Sequence, residues 1–212
     1  IIVPVYNAQN YIQHCMDSIF GEDLKTTHDT CCAPFLYLAK NYAELGHNVT
    51  VLTACFRDLL REEEINNVHI IRVKALRKKE DKSTFPEMFS FLCSAWIRAG
   101  QIAGTTKFDI CQIFFGIPSG PIGLYLKKRY GLPYVIRFGG GDIPGAQKRF
   151  SLLYKILSPT IRSIWRNADA LVANSEVLKQ KALRYENRYP IEIIANGVDS
   201  NFFTRMESGV TD

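Results

Sequence analysis

Apolar residues recur along this chain in two alternating patterns. Short continuous apolar runs predict strands near residues 1–5, 49–53, 68–75, 108–115, 132–138, 168–175 and 191–197. Between the runs, apolar residues follow helical spacing, and the longest such stretches are residues 85–104 and 148–167. Strands that alternate with helices of this length indicate βαβ units, and continuous apolar strands indicate a sheet covered on both faces. The pattern therefore predicts an α/β fold, a Rossmann-like three-layer domain with a mainly parallel sheet.

Helix-end signals support this division of the chain. A helix face formed by Leu36, Leu38, Tyr42 and Leu45 is followed by Gly46, a residue suited to end a helix. Ser175 precedes a short helical stretch at residues 176–183 and is a candidate N-cap.

Composition narrows the class of protein. The chain has 212 residues, 47% hydrophobic and 22% charged, which is ordinary for a folded domain. Its net charge of +5 is modest, and no nucleic-acid-binding motif stands out, so no nucleic-acid partner is expected. No apolar run approaches the roughly 18 residues of a membrane span, and the start lacks the basic region of a signal peptide. We therefore expect a cytoplasmic location.

The six cysteines do not form a metal-binding pattern. None occurs in a Cys-x-x-Cys arrangement, and several lie in apolar runs, which favours small buried residues in a reducing compartment. A zinc site built from His14, Cys15 and the adjacent pair Cys31 and Cys32 is a weaker alternative, because neighbouring cysteines make poor tetrahedral ligands. We expect neither a metal nor another cofactor.

Polar and small residues collect where the predicted parallel strands end, in "FGIPSG", "FGGGDIPG", "ANSE" and "ANGVD". Ligands of open parallel sheets bind at this edge, glycines let a ligand approach the backbone, and Asn, Ser and Asp can bond sugar hydroxyls. The alternative is that these loops are ordinary turns. Asp142 is the candidate catalytic residue. The candidate substrate-binding residues are Pro118, Ser119, Gly140, Gly141, Asn174, Ser175 and Asn196.

The glycine loop invites a dinucleotide-binding interpretation that its spacing does not support. Gly139 and Gly141 fit the fingerprint, but the third glycine, Gly145, comes one residue late. Asp142 would also place a carboxylate against a phosphate. A role in binding hydroxyls suits Asp142 better.

Four blocks in order carry a family resemblance: "YLAKNYAELGHNVTVLT", "GLPYVIRFGGGDIPG", "ADALVANSEVLKQKA" and "PIEIIANGVDSNFF". Over about residues 33–203 they resemble the amino-terminal half of GT-B glycosyltransferases of family 4. The resemblance implies sugar transfer, without a metal, from a nucleotide-sugar donor to a saccharide or lipid-linked acceptor, as in polysaccharide biosynthesis. It also implies that this half of the architecture mainly holds the acceptor.

The chain departs from the family pattern at three places. The family's Gly-Gly loop corresponds here to "HDTCC", and Gly139 stands where many members carry His or Arg. The chain ends at Asp212, before the donor-binding domain would begin. We therefore expect this chain alone to be inactive. The alternative is a non-catalytic sugar-binding or partner-binding remnant of a glycosyltransferase.

The opening "IIVPVYNAQNYIQHCMDSIF" resembles the start of a different family, the GT-A glycosyltransferases of family 2. That family should also show an acidic turn and an Asp-x-Asp metal motif, and the sequence contains neither. The predicted organisation is a family 2-like leading segment at 1–20, the GT-B amino-terminal domain at 21–203 and a tail or interdomain linker at 204–212. Residues 1–6 are expected to form a strand of the sheet, because an exposed apolar run favours aggregation.

A basic and aromatic stretch raises the question of a membrane surface. Arg77, Lys78 and Lys79 precede a helix that contains Phe85, Phe89, Phe91, Leu92 and Trp96. Such a composition is typical of helices at the membrane interface. Two interpretations are open. The favoured one is that the helix packs on the sheet and the charges lie in a solvated loop. The other is peripheral contact with the inner face of the membrane.

Overall fold

The computed structural model describes residues 33–55, 59–76, 84–145 and 151–197. The five helices of this part are α1 (Ala33–Glu44), α2 (Phe85–Thr105), α3 (Gly116–Tyr130), α4 (Ser151–Asn167) and α5 (Glu176–Tyr185). Its seven strands are β1 (Val49–Ala54), β2 (Glu62–Ile65), β3 (Val68–Val73), β4 (Cys111–Phe114), β5 (Tyr134–Arg137), β6 (Ala170–Ala173) and β7 (Glu192–Ile193). The expected strand at residues 1–6, the zinc alternative and the domain boundaries near 20 and 203 lie outside the described residues.

The described strands form two hydrogen-bonded groups that are mainly parallel. One has the order β1-β3-β2, and the other has the order β4-β5-β6-β7 and is parallel throughout. β1 and β3 are also parallel, with Val51 beside Ile70. Helices α3, α4 and α5 join successive strands of the second group, as parallel neighbours require. The predicted α/β fold with a mainly parallel sheet is confirmed.

Apolar side chains of β1 and β3 point alternately to two packed layers. Leu52 and Ile71 belong to a large core with residues of α2, α3, α4 and α5. Val51 and Ile70 belong to a smaller core on the other face, with Ala39 of α1. Because strand side chains alternate in direction, the sheet is covered on both sides, which is the predicted three-layer arrangement.

An antiparallel hairpin, which the sequence analysis did not assign, occupies one sheet edge. β2 pairs antiparallel with β3, and Glu62 lies opposite Ile71. The two residues between the strands, Asn66 and Asn67, have φ of 52° and 60°. Asparagine tolerates this left-handed region, and two such residues in succession make the turn that hairpins favour.

Most helix ends agree with the sequence signals. Gly46 has φ of 88° just beyond α1, whereas Leu45, assigned to the apolar face, is 75% exposed. The Ser175 side chain accepts a hydrogen bond from the Leu178 N–H at 3.3 Å, so the predicted N-cap of α5 is confirmed. Helix α3 begins at Gly116 rather than after the "GIPSGP" turn, with non-helical angles at Ile117.

Candidate functional site at the carboxyl edge of the sheet

Asp142 joins two loops at the carboxyl edge of the second strand group. Its Oδ2 accepts a hydrogen bond from the Gly116 N–H at 2.7 Å, at the start of α3. Its Oδ1 accepts from the N–H groups of Gly139 at 3.0 Å and Gly140 at 2.9 Å, in the loop that follows β5. The residue is 3% exposed. Both oxygens therefore bind backbone within the protein, which fixes the loop after β4 against the loop after β5.

The environment of Asp142 acts on its charge in two directions. Burial raises the pKa of the Asp142 carboxyl, and the N–H groups of Gly116, Gly139 and Gly140 lower it. Burial is the larger influence, so the pKa lies above its usual value. The predicted catalytic role of Asp142 stays a prediction, since this carboxylate is buried and holds the loops.

Phe115 and Gly139 also connect these loops. Phe115 has φ of 65°, an unusual conformation for a bulky residue, at the junction of β4 and α3. A Cβ atom added to Gly139 would overlap the Phe115 ring. The absence of a side chain at residue 139 therefore has a local cause, because the aromatic ring occupies that space.

Two candidate binding residues are buried in the start of α3. Ser119 is fully buried, and Pro118 is buried beside it. The loop predicted as a turn forms the start of a helix that packs on the sheet. Their predicted contact with substrate stays untested, but neither side chain faces solvent in this structure.

The remaining candidates lie on the open side of the same edge. Gly140, with φ of 103°, lies near the Leu178 side chain at the start of α5. Asn174 is half-buried, and its Oδ1 accepts a hydrogen bond from the exposed Ser175 hydroxyl at 3.2 Å. Gly141 is half-buried, and its carbonyl accepts a hydrogen bond from the Tyr154 hydroxyl at 2.9 Å. The structure thus brings the glycine loop together with the cap of α5.

Arg137, a residue that the sequence analysis missed, connects the last candidate to this edge. Its Nη2 donates to Asn196 Oδ1 at 2.7 Å and to the carbonyl of Ile194 at 3.0 Å. Asn196 itself is exposed. The available signal was a lone cation at the end of the apolar stretch "LPYVI", just before the glycine loop.

Potential metal ligands do not converge in the described part of the chain. Within residues 33–55, 59–76, 84–145 and 151–197, no group of three or more His, Cys, Asp or Glu side chains could hold an ion. The described cysteines follow the sequence prediction only in part. Cys111 is buried, Cys55 is half-buried and Cys93 is exposed.

Sequence comparison decides the family. The sequence model of Glycosyltransferase Family 4 matches residues 35–202, more than three quarters of the chain. The chain belongs to this family. None of the proteins of curated function matches the sequence significantly. The resemblance drawn from the four sequence blocks is therefore confirmed for the family 4 part.

Structural comparison supports the fold of this family member. The structure is similar to sucrose-phosphate synthase from Thermosynechococcus elongatus, with a TM-score of 0.61 and 14% sequence identity. The similarity covers 78% of this chain and 42% of that structure. At this identity the comparison shows the fold, a Rossmann-like domain of the GT-B type. The chain spans less than half the length of that structure.

Proposed function

We propose that the protein transfers a sugar from a nucleotide-sugar donor to a saccharide or lipid-linked acceptor, and that the described domain holds the acceptor. Family membership supports the class of reaction. The observation that carries the acceptor role is the assembled carboxyl edge: Asp142 fixes the glycine loop, Gly140 lies near Leu178 in the first turn of α5, and Arg137 binds Asn196. Polysaccharide biosynthesis is the process that we propose.

The two asparagines offer hydrogen-bond donors to a sugar. Asn174 and Asn196 each use the amide oxygen within the protein, as acceptors from Ser175 and Arg137. Their Nδ2 groups make no hydrogen bond with another described residue. An amide whose oxygen is fixed presents its N–H groups in a defined direction, which suits recognition of a sugar hydroxyl.

Asp142 enters this proposal as a positioning residue. A buried carboxylate that accepts three backbone N–H groups orients both loops before the substrate arrives. The earlier assignment of Asp142 as a catalytic residue requires direct contact with the sugar. That contact would need the two loops to separate, because the Asp142 side chain is buried beneath them.

The test is a transfer screen on the full-length protein that contains these residues. Nucleotide sugars and saccharide acceptors are combined, and release of nucleoside diphosphate is measured together with product mass. The proposal predicts acceptor-dependent release with at least one donor. Asn174→Ala and Asn196→Ala should raise the KM for the acceptor more than they lower kcat. Saccharide binding without transfer from any donor would support a non-catalytic binding module instead.

We further propose peripheral membrane contact through α2. One side of this helix packs in the core through Phe91 and Ala95, which are fully buried. On another side, Phe89 and Ile97 are each 62% exposed to solvent. Trp96 is 37% exposed and stacks on Tyr125 of α3. Aromatic and aliphatic side chains on one helix face support insertion at a lipid interface.

Location and leading segment remain proposals. In the part of the chain that the structure describes, no helix is long and apolar enough to cross a bilayer. We propose a cytoplasmic protein that contacts the inner face of the membrane through α2. The family 2-like character of residues 1–20 rests on sequence resemblance alone, because those residues lie outside the described ranges.

A further inference from the structure

Arg137 is a half-buried cation at the candidate acceptor edge. It ends β5, immediately before Phe138 and the glycine loop. All the hydrogen bonds between Arg137 and other described residues come from one nitrogen, Nη2. It donates to Asn196 Oδ1 at 2.7 Å and to the carbonyls of Ile194 at 3.0 Å and Ala195 at 3.4 Å. These acceptors are neutral. They hold the guanidinium in place without balancing its charge.

The rest of the guanidinium has no protein partner in the described ranges. Arginine carries five N–H donors, and the Nη1 and Nε groups supply three of them. Neither nitrogen donates to a described residue, and no described carboxylate forms an ion pair with Arg137. Burial lowers the pKa of Arg137, while the Tyr42 hydroxyl opposes that change. A partly desolvated cation without a counter-charge is an unfavourable arrangement in an isolated fold.

Two partly buried ion pairs elsewhere in the described part of the chain show arginines with carboxylate partners. Arg72, whose side chain is 2% exposed, pairs with Glu63 across the β2-β3 hairpin. Arg188 pairs with buried Glu186 through Nε at 2.8 Å and Nη2 at 2.7 Å. Arg137 differs from both, because two of its guanidinium nitrogens donate to no described residue, at the candidate ligand-binding edge. The guanidinium fork matches the two oxygens of a phosphate or carboxylate.

We propose that Arg137 binds a phosphate or carboxylate group of the acceptor, so that the acceptor is an acidic saccharide or a phosphosugar. The inference rests on the proposed function, since it assigns the substrate class of the same edge. Asn196, fixed by Arg137, would bind a hydroxyl of the same sugar. The anion supplies the counter-charge that none of the described residues provides.

The experiment measures ligand binding to the full-length protein by isothermal titration. The probes are glucose, glucose 6-phosphate, glucuronic acid and uridine diphosphate, with wild type, Arg137→Gln and Arg184→Gln. Arg184 is an exposed cation in the last turn of α5 and serves as the matched control. We expect one or both acidic sugars to bind about tenfold or more tightly than glucose. Arg137→Gln should remove that preference, and Arg184→Gln should keep it.

Arg137→Lys covers the case in which the neutral variant does not fold. The lysine keeps the positive charge but loses the planar guanidinium fork, so it should retain only part of the preference for acidic sugars.

Equal affinity of wild type for glucose and both acidic sugars would overturn the inference. So would Arg137-dependent binding of uridine diphosphate alone, because the anion would then belong to the donor. Transfer to neutral acceptors only would refute the inference and leave the proposed function intact. Arg137-dependent binding of acidic sugars without any transfer would support the inference about Arg137 and refute the proposed transferase function.

Discussion

The Asp142 carboxylate binds the Gly116 N–H at 2.7 Å, across 26 residues of sequence. Gly116 begins α3, and Asp142 belongs to the loop after β5, so this hydrogen bond ties two successive βα connections to each other. With the bonds to Gly139 and Gly140, it lets one buried side chain hold both connections of the candidate site against each other.

Replacement of Asp142 is expected to lower stability. Asp142→Ala leaves three backbone N–H groups without their acceptor and should reduce the free energy of unfolding by about 1–3 kcal/mol. Asp142→Asn keeps one acceptor oxygen and should therefore reduce the free energy of unfolding by less. Urea denaturation followed by circular dichroism measures both. Asp109→Ala, at an exposed aspartate, is the control. An unchanged denaturation midpoint for Asp142→Ala would contradict the positioning role.

Gly139→Ala is expected to destabilise the fold through a clash with Phe115. The new methyl group would overlap the aromatic ring, and such overpacking costs about 1–3 kcal/mol. Gly197→Ala is the matched control, because a Cβ there has no neighbour within 4 Å. Thermal unfolding compares the two. In the double variant Gly139→Ala with Phe115→Ala, the cost should be less than the sum of the single costs, and strict additivity would argue against the clash.

Acid should weaken the fold in part through Glu186. The side-chain hydrogen bonds of Arg188 lower the pKa of Glu186 from 4.5 to about 2. A carboxyl whose pKa is lower in the folded state contributes stability that is fully present above pH 4.5 and is lost as the pH falls towards 2. Glu186→Gln should therefore show a smaller loss of melting temperature between pH 5 and pH 2. Glu192→Gln, at an exposed glutamate, should keep the wild-type slope.

Membrane contact through α2 predicts a specific loss of vesicle binding. Phe89→Ser combined with Ile97→Ser should lower partition onto vesicles containing phosphatidylglycerol by about tenfold or more, because two exposed apolar side chains are removed. Leu45→Ser, an exposed leucine beyond α1, is the control. Co-sedimentation measures the bound fraction. An equal effect of the control would show that exposed apolar area in general, not α2, governs binding.

Local signals predicted those parts of the fold that depend on neighbouring residues. Ser175 caps α5 as expected because capping is decided within three residues. The Asn66 and Asn67 turn carried a comparable signal, but the preceding "EEE" run has no apolar pattern, so β2 went unassigned. A hairpin edge pairs through its backbone and does not need apolar side chains.

The candidate site was harder to predict because its parts meet over long sequence distances. Ser119 was expected to contact substrate from a turn, but that turn joins a packed helix and buries the hydroxyl. Asp142 was singled out for its polarity, yet its orientation depends on Gly116, which the sequence does not place nearby. The role of Arg137 could not be predicted from its neighbours in sequence, because its partner Asn196 comes close only through the pairing of β7 with the sheet.

The contact between Gly139 and Phe115 constrains the order in which this protein could change. The family resemblance leads to the expectation of a His or Arg at the position of Gly139. A single substitution that introduces such a side chain would collide with the Phe115 ring. Residue 115 would have to become smaller first, so the two positions form an epistatic pair, and a side chain at residue 139 becomes acceptable only after a substitution of Phe115.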